Sequence, residues 1–101
     1  MAFIIACKAS DIKPGSMQSF TLNSKNIAIA NVEGKFFAFS NECTHVQAPL
    51  AEGSLEGTTV TCPWHGAQFD VTTGKVLAAP AQDNIGCFKT KIEGAELLVD
   101  V

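Results

Sequence analysis

The chain has 101 residues, 47% of them hydrophobic, with seven lysines, no arginine and a net charge of −3. That length fits a single domain over residues 1–101 with one buried core, and the lack of a basic stripe argues against a nucleic-acid or anionic-membrane partner. No apolar run approaches the roughly 20 residues that cross a bilayer; Phe3-Ile4-Ile5-Ala6-Cys7 is too short for a signal segment and follows no basic stretch, so a soluble cytoplasmic protein is expected.

Strand signals dominate. Phe3–Lys8 is a β-branched and aromatic run that stops before Pro14-Gly15, a turn dipeptide. Met17–Leu22 matches period 2 only in part. Asn23-Ser24-Lys25-Asn26 turns into Ile27–Val32, and Glu33-Gly34-Lys35 has hairpin-turn composition before Phe36–Ser40. This opening third predicts an antiparallel meander. Residues 41–57 show no sustained periodicity. Thr58–Cys62 is a strand, Gln68–Val71 and Lys75–Ala78 flank a Thr72-Thr73-Gly74 turn, and residues 79–84 form a loop. Ile85–Ile92 and Glu96–Val101 close the chain as a hairpin across Glu93-Gly94-Ala95. No helical period survives three turns. The expected architecture is all-β, an antiparallel barrel or sandwich with a loop-and-hairpin module inserted between about residues 41 and 80.

That module carries Cys43-Thr44-His45 and Cys62-Pro63-Trp64-His65, separated by sixteen residues, and the chain has no other histidine. Each pair sets a thiolate and an imidazole on one short loop, and two sulfur and two nitrogen ligands converging from two loops make a metal site. Two other readings fit these residues. Zinc also takes Cys2His2 ligation, although zinc fingers usually pair cysteine with cysteine and histidine with histidine. Cysteines also serve as small core hydrophobes beside surface histidines. Cys7 and Cys87 fall in predicted strands among apolar neighbours and are expected to be buried, unbridged thiols in a reducing compartment. They would meet only if the first strand and the late strand are neighbours.

The pattern C-x-H, sixteen residues, then Cys62-Pro63-Trp64-His65-Gly66 resembles the Rieske 2Fe–2S binding motif. The likeness continues through Val32-Glu33-Gly34-Lys35-Phe36-Phe37-Ala38, through the connector from Leu50 to Gly57, and through Gly66-Ala67-Gln68-Phe69-Asp70-Val71 followed by Thr73-Gly74-Lys75-Val76. The resemblance implies the Rieske fold and one 2Fe–2S cluster, held by Cys43 and Cys62 on one iron and His45 and His65 on the other. Two ferric ions, two sulfides and two thiolates then sum to zero charge when the imidazoles are neutral. Reduction is correspondingly easier than with four thiolates.

The resemblance also implies roles around the cluster. Val46, Gln47, Ala48, Pro49, Pro63 and Trp64 make the loop tips uncharged and largely apolar, fit to shield the cluster or to dock a redox partner. Trp64 also admits a packing role, filling space where other Rieske proteins carry a disulfide. Phe69 is read as a shielding wall, and Pro80 falls where the family carries a covering loop. Respiratory members have two further cysteines bridging their loops, and this chain has Ala48 and Trp64 in their place. Those members also carry a serine and a tyrosine whose hydroxyls bond to sulfur, and here the positions are Ala67 and Phe69. Without those donors the reduced state is less favoured, so a low potential is expected.

The function implied by the resemblance is that of a one-electron shuttle and not an enzyme. Such ferredoxins take electrons from an NAD(P)H-dependent flavoprotein reductase. They deliver them to a terminal Rieske non-haem-iron oxygenase, often an aromatic-ring dioxygenase. The alternatives are an accessory subunit like the small subunit of nitrite reductase, although those chains usually lack the four ligands, and a zinc-stabilised binding module. Asp70 and Glu52 are read as turn or surface groups and not as a catalytic pair.

Overall fold

The computed structural model describes residues 2–43, 48–64, 66–79 and 83–101. In chain order it contains β1 (Phe3–Lys8), a 3₁₀ turn at Ala9–Asp11, β2 (Met17–Leu22), β3 (Lys25–Val32) and β4 (Lys35–Ser40). A second 3₁₀ turn at Leu50–Glu52 precedes β5 (Ser54–Glu56), β6 (Thr59–Thr61), β7 (Gln68–Asp70) and β8 (Val76–Ala78). The chain closes with β9 (Cys87–Phe88), β10 (Thr90–Glu93) and β11 (Glu96–Asp100). Antiparallel pairing gathers these into three sheets, ordered β1-β11-β10, β2-β3-β4-β9 and β5-β6-β7-β8.

Two tight turns build the middle sheet. Asn23 and Ser24 (φ 51° and 64°) and Glu33 and Gly34 (φ 52° and 92°) put both central residues of each loop in the left-handed region. A two-residue hairpin whose twist matches its strands needs that geometry. The turns are therefore shorter than the sequence suggests, and Lys25, Asn26 and Lys35 already belong to the ladder, with Leu22 opposite Lys25 and Val32 opposite Lys35.

Side-chain alternation explains how the sheets stack. Ile27 and Ile29 point to one face of β3, Ala28 and Ala30 to the other. The isoleucines pack with Ile12, Leu22, Ala38, Leu97, Val99 and Val101, a core closed by the terminal sheet. The alanines pack with Phe39, Val60, Phe69, Val71 and the two motif cysteines. The middle sheet thus has a core on each face, which is why β3 is buried along five consecutive residues instead of alternately. The partial period of β2 has the same origin: Met17 packs into the cysteine-bearing core, while Phe20 and Leu22 pack into the other.

Three expectations change. β1 does not join the opening meander, which consists of β2, β3 and β4; it pairs with β11 at the far end of the chain. The turn at Ala9–Asp11 carries the chain across, and a bulge between Ile5 and Cys7 lets Ala6 and Cys7 both face inward. The predicted strand Ile85–Ile92 breaks at Lys89, because its first part pairs with β4 and its second with β11. Ser54–Glu56, read as connector, forms a strand opposite Thr59–Thr61.

Candidate metal centre

Each motif cysteine sits at the base of a hairpin loop, and the two bases are built alike. The Cys43 N–H donates to the Ala48 carbonyl (3.0 Å), and the Cys62 N–H donates to the Ala67 carbonyl (2.7 Å). Each cysteine therefore bonds to the residue five positions on, and the histidine of each motif falls within that interval of the sequence. Outside these closures the stems continue: Glu42 bridges Pro49, the Leu50 N–H donates to the Asn41 carbonyl (2.8 Å), and Thr61 pairs with Gln68 across β6 and β7.

The two bases meet in the core. Cys43 is 0% and Cys62 2% exposed, in one apolar cluster with Ala48, Leu50, Ala67 and Phe69. Burial pushes the Cys62 thiol up. The Trp64 backbone N–H, hydrogen-bonded to it, pulls it down, and the neighbouring Cys43 thiol raises it through a hydrogen bond and through charge. The two sulfurs meet there, and burial and the Cys43 neighbour both oppose ionisation of Cys62. A cationic centre between them reverses that penalty. With the Trp64 N–H aimed at sulfur as an extra donor, the pocket fits a metal–sulfur group.

Of the other predicted site residues, His45, Val46, Gln47, His65 and Pro80 lie outside the described residues. Pro63 is exposed, as is Trp64 at 55%. Trp64 is therefore not enclosed beneath the loops. Ala48 is fully buried, so it lines the inside of its loop and does not contribute to an outer contact surface. Phe69 is fully buried in the cluster that holds both cysteines, and Ala67 beside it has no hydroxyl to offer.

Cys87 departs from expectation: it is exposed, not buried. Its Sγ is nonetheless tucked against Gly74, where a Cβ would come within 2.9 Å of it. That burial, then the Asp70 charge, pushes its thiol up. Cys7 is half-buried and raised by the same two effects, with Asp11 as the charge. The strands carrying them belong to different sheets, and both cysteines are free. Asp70 is a turn group, its Oδ1 accepting from the Thr72 N–H (2.9 Å) and hydroxyl (2.6 Å). Surface hollows of about 450 and 290 Å³ flank Glu33 and Thr58, at the ends of β3 and β6 away from the cysteines.

Two residues that hold the loops carry no signal of that role in the sequence. Asn41 is 3% exposed and hydrogen-bonds through both ends of its amide. Gly53 leaves no room for a side chain, because a Cβ there would run into the Thr61 carbonyl. Asparagine and glycine in a loop suggest turns, and nothing in the sequence says that these two are buried.

Known proteins share this construction. The family model of the Rieske [2Fe-2S] domain matches residues 2–89. The ferredoxin component of a naphthalene 1,2-dioxygenase system from Pseudomonas putida is 40% identical over 99 residues, covering 98% of this chain and 95% of that protein. The ferredoxin component of biphenyl 2,3-dioxygenase from Rhodococcus jostii is 41% identical over 101 residues, covering 100% and 94%. A chain in the complex of reduced oxygenase and oxidized ferredoxin of carbazole 1,9a-dioxygenase superposes with a TM-score of 0.90. It shares 33% identity, over 96% of this chain and 91% of that one.

Proposed function

The chain belongs to the Rieske [2Fe–2S] family, and from that premise we propose that it is the ferredoxin of an aromatic-ring dioxygenase system, passing single electrons from an NAD(P)H-dependent flavoprotein reductase to a terminal oxygenase. It is a Rieske-type ferredoxin, an electron-transfer protein and not the catalytic component. One 2Fe–2S cluster is assigned to the module between about residues 41 and 80, with Cys43 and Cys62 on one iron and His45 and His65 on the other. When bound, it supplies a reversible one-electron couple. The observation that carries this reading is the pair of buried thiols brought face to face by two loops of matching construction. No helix among the described residues is long and apolar enough to cross a membrane, and a cytoplasmic location is part of the same proposal.

The protein's part is to hold the sulfurs, keep water away and set the electrostatics. Phe69, Ala67, Ala48 and Leu50 wall the cysteines with hydrocarbon. Ala67 and Phe69 give sulfur no hydroxyl donor. Each missing donor withholds roughly 1.5–3 kcal/mol from the more negative state, on the order of 65–130 mV for one electron. The midpoint is therefore placed near the low end of the Rieske span of about −150 to +300 mV.

Iron and acid-labile sulfide analysis of the purified protein, with a redox titration at neutral pH, tests this. The expected results are equal iron and sulfide, a red-brown colour, and a midpoint well below about +100 mV. A colourless protein holding one zinc per chain would return the site to a structural role. A midpoint above that limit would remove the low-potential assignment.

Trp64 gives the partner-facing side its own test. Exposed beside Pro63 and next in sequence to His65, it offers the aromatic anchor that interfaces favour. Trp64→Ala is expected to leave stability within about 0.5 kcal/mol while slowing electron delivery to the oxygenase about tenfold. Denaturant titration and stopped-flow transfer rates separate the two. A stability loss with unchanged transfer would make Trp64 a packing residue.

A further inference from the structure

We infer that Asn41 is a positioning residue for the first ligand pair, clamping both ends of the loop that contains Cys43 and His45. The inference rests on the proposed ligand assignment and adds a residue that assignment does not use.

The clamp is built from every polar group Asn41 has. Its backbone N–H donates to the Asn26 carbonyl (3.0 Å), and its carbonyl accepts from the Leu50 N–H (2.8 Å). Its side-chain Nδ2 donates to Asn26 Oδ1 (3.1 Å), and its Oδ1 accepts from the Ala51 N–H (2.7 Å). One residue thus ties the start of β3 to the segment where the ligand loop ends. Asn41 lies two positions before Cys43, and Leu50 two positions after Ala48, the residue that closes the loop on Cys43. Leu50 itself is fully buried in the core cluster that holds both cysteines. Fixing Leu50 and Ala51 therefore fixes the side of the pocket that the first loop supplies.

Asn31 is a control supplied by the same sheet. It is also buried, 4% exposed, and also uses both ends of its amide. Its Nδ2 donates to the Ile12 carbonyl (2.8 Å), and its Oδ1 accepts from the Gly34 N–H (2.8 Å). Those bonds brace the opposite end of the sheet and touch neither ligand loop. A generic contribution to stability is common to Asn31 and Asn41; of the two, Asn41 is the one bonded to the segment that ends the ligand loop.

The test compares Asn41→Ala, Asn31→Ala and Asn26→Ala in the cluster-loaded protein. It follows loss of the visible spectrum to an iron chelator and the g-values of the reduced protein. Asn41→Ala is expected to lose the cluster about tenfold faster than wild type, with altered g-values, because a part-buried N–H at Ala51 is left without its acceptor. Asn26→Ala, which removes only the amide's partner, is expected to speed loss about threefold. Asn31→Ala is expected to lower the melting temperature while leaving chelation rate and g-values as in wild type. Equal behaviour of the Asn31 and Asn41 variants would overturn the inference. If Asn41→Ala does not fold, Asn26→Ala decides, and a wild-type chelation rate there overturns it. A wild-type protein that holds no cluster is a separate failure, of the ligand assignment, and shows before any variant is made.

Discussion

Cys62→Ala is expected to give a colourless protein that melts roughly 15–30 °C below the wild type. A group bound at a thousand times its dissociation constant stabilises the folded state by about 4 kcal/mol, and in a chain this small each kcal/mol moves the midpoint by about 4–8 °C. The cost is concentrated because Cys62 is buried at the meeting point of the two loops, with Cys43, Leu50 and Phe69 in the same cluster. Removing one ligand also leaves the remaining thiol in a dry pocket without its centre. Cys43→Ala is expected to behave the same way, and His65→Ala and His45→Ala to lose the colour as well. Cys87→Ala and Cys7→Ala are the controls. Neither residue belongs to the cluster of core side chains around the motif cysteines, so both variants are expected to keep the visible spectrum intact. Absorbance and calorimetry on the six variants check this. A histidine variant with wild-type colour and midpoint would remove the mixed-ligand assignment, and a colourless Cys87 variant would move the site.

Where the chain could be read in advance, the reason is local chemistry. β1 and β2 carry their own boundaries: a β-branched run stopped before Pro14-Gly15 and a segment ended by Asn23-Ser24. The ligand pairs were legible because chemistry restricts which residues bind metal, at whatever distance the fold brings them together. What was not legible depends on partners far away in the chain. β1 pairs with β11 because the 3₁₀ turn turns it away from β2. The break at Lys89 exists because two sheets compete for one extended stretch. The exposure of Cys87 has a similar cause: it lies on the edge strand of the middle sheet, paired with Phe39, and that edge position leaves it at the surface against Gly74. No pattern of neighbours in sequence encodes any of these. Nothing in the run Ile27–Val32 sets Ala28 and Ala30 apart, yet these two small side chains are the face of β3 on which the module's core packs.

The spacing between the two ligand loops is set by Gly53, and Gly53→Ala is expected to separate them. Its backbone is ordinary extended chain (φ −82°, ψ −152°), so the requirement is for space and not for an unusual conformation. A methyl group there would run into the Thr61 carbonyl, with the Leu50 carbonyl also only 3.2 Å away. Neither obstacle is a flexible side chain. Thr61 immediately precedes Cys62, and Leu50 is buried in the same core cluster as Cys43. Any shift that relieves the clash must therefore move one ligand loop relative to the other. Overpacking against backbone is expected to cost about 3 kcal/mol, or roughly 12–24 °C in melting temperature, with most of the cluster lost. Gly57→Ala provides the comparison, since Gly57 has a left-handed backbone (φ +58°) and open space where a Cβ would sit. That change is expected to cost only the conformational penalty of about 1–2 kcal/mol and to leave the iron content unchanged. Iron content and melting temperature measured on both variants decide the matter. If Gly53→Ala kept its full cluster and melted no lower than Gly57→Ala, the distance between the loops would have to be governed elsewhere.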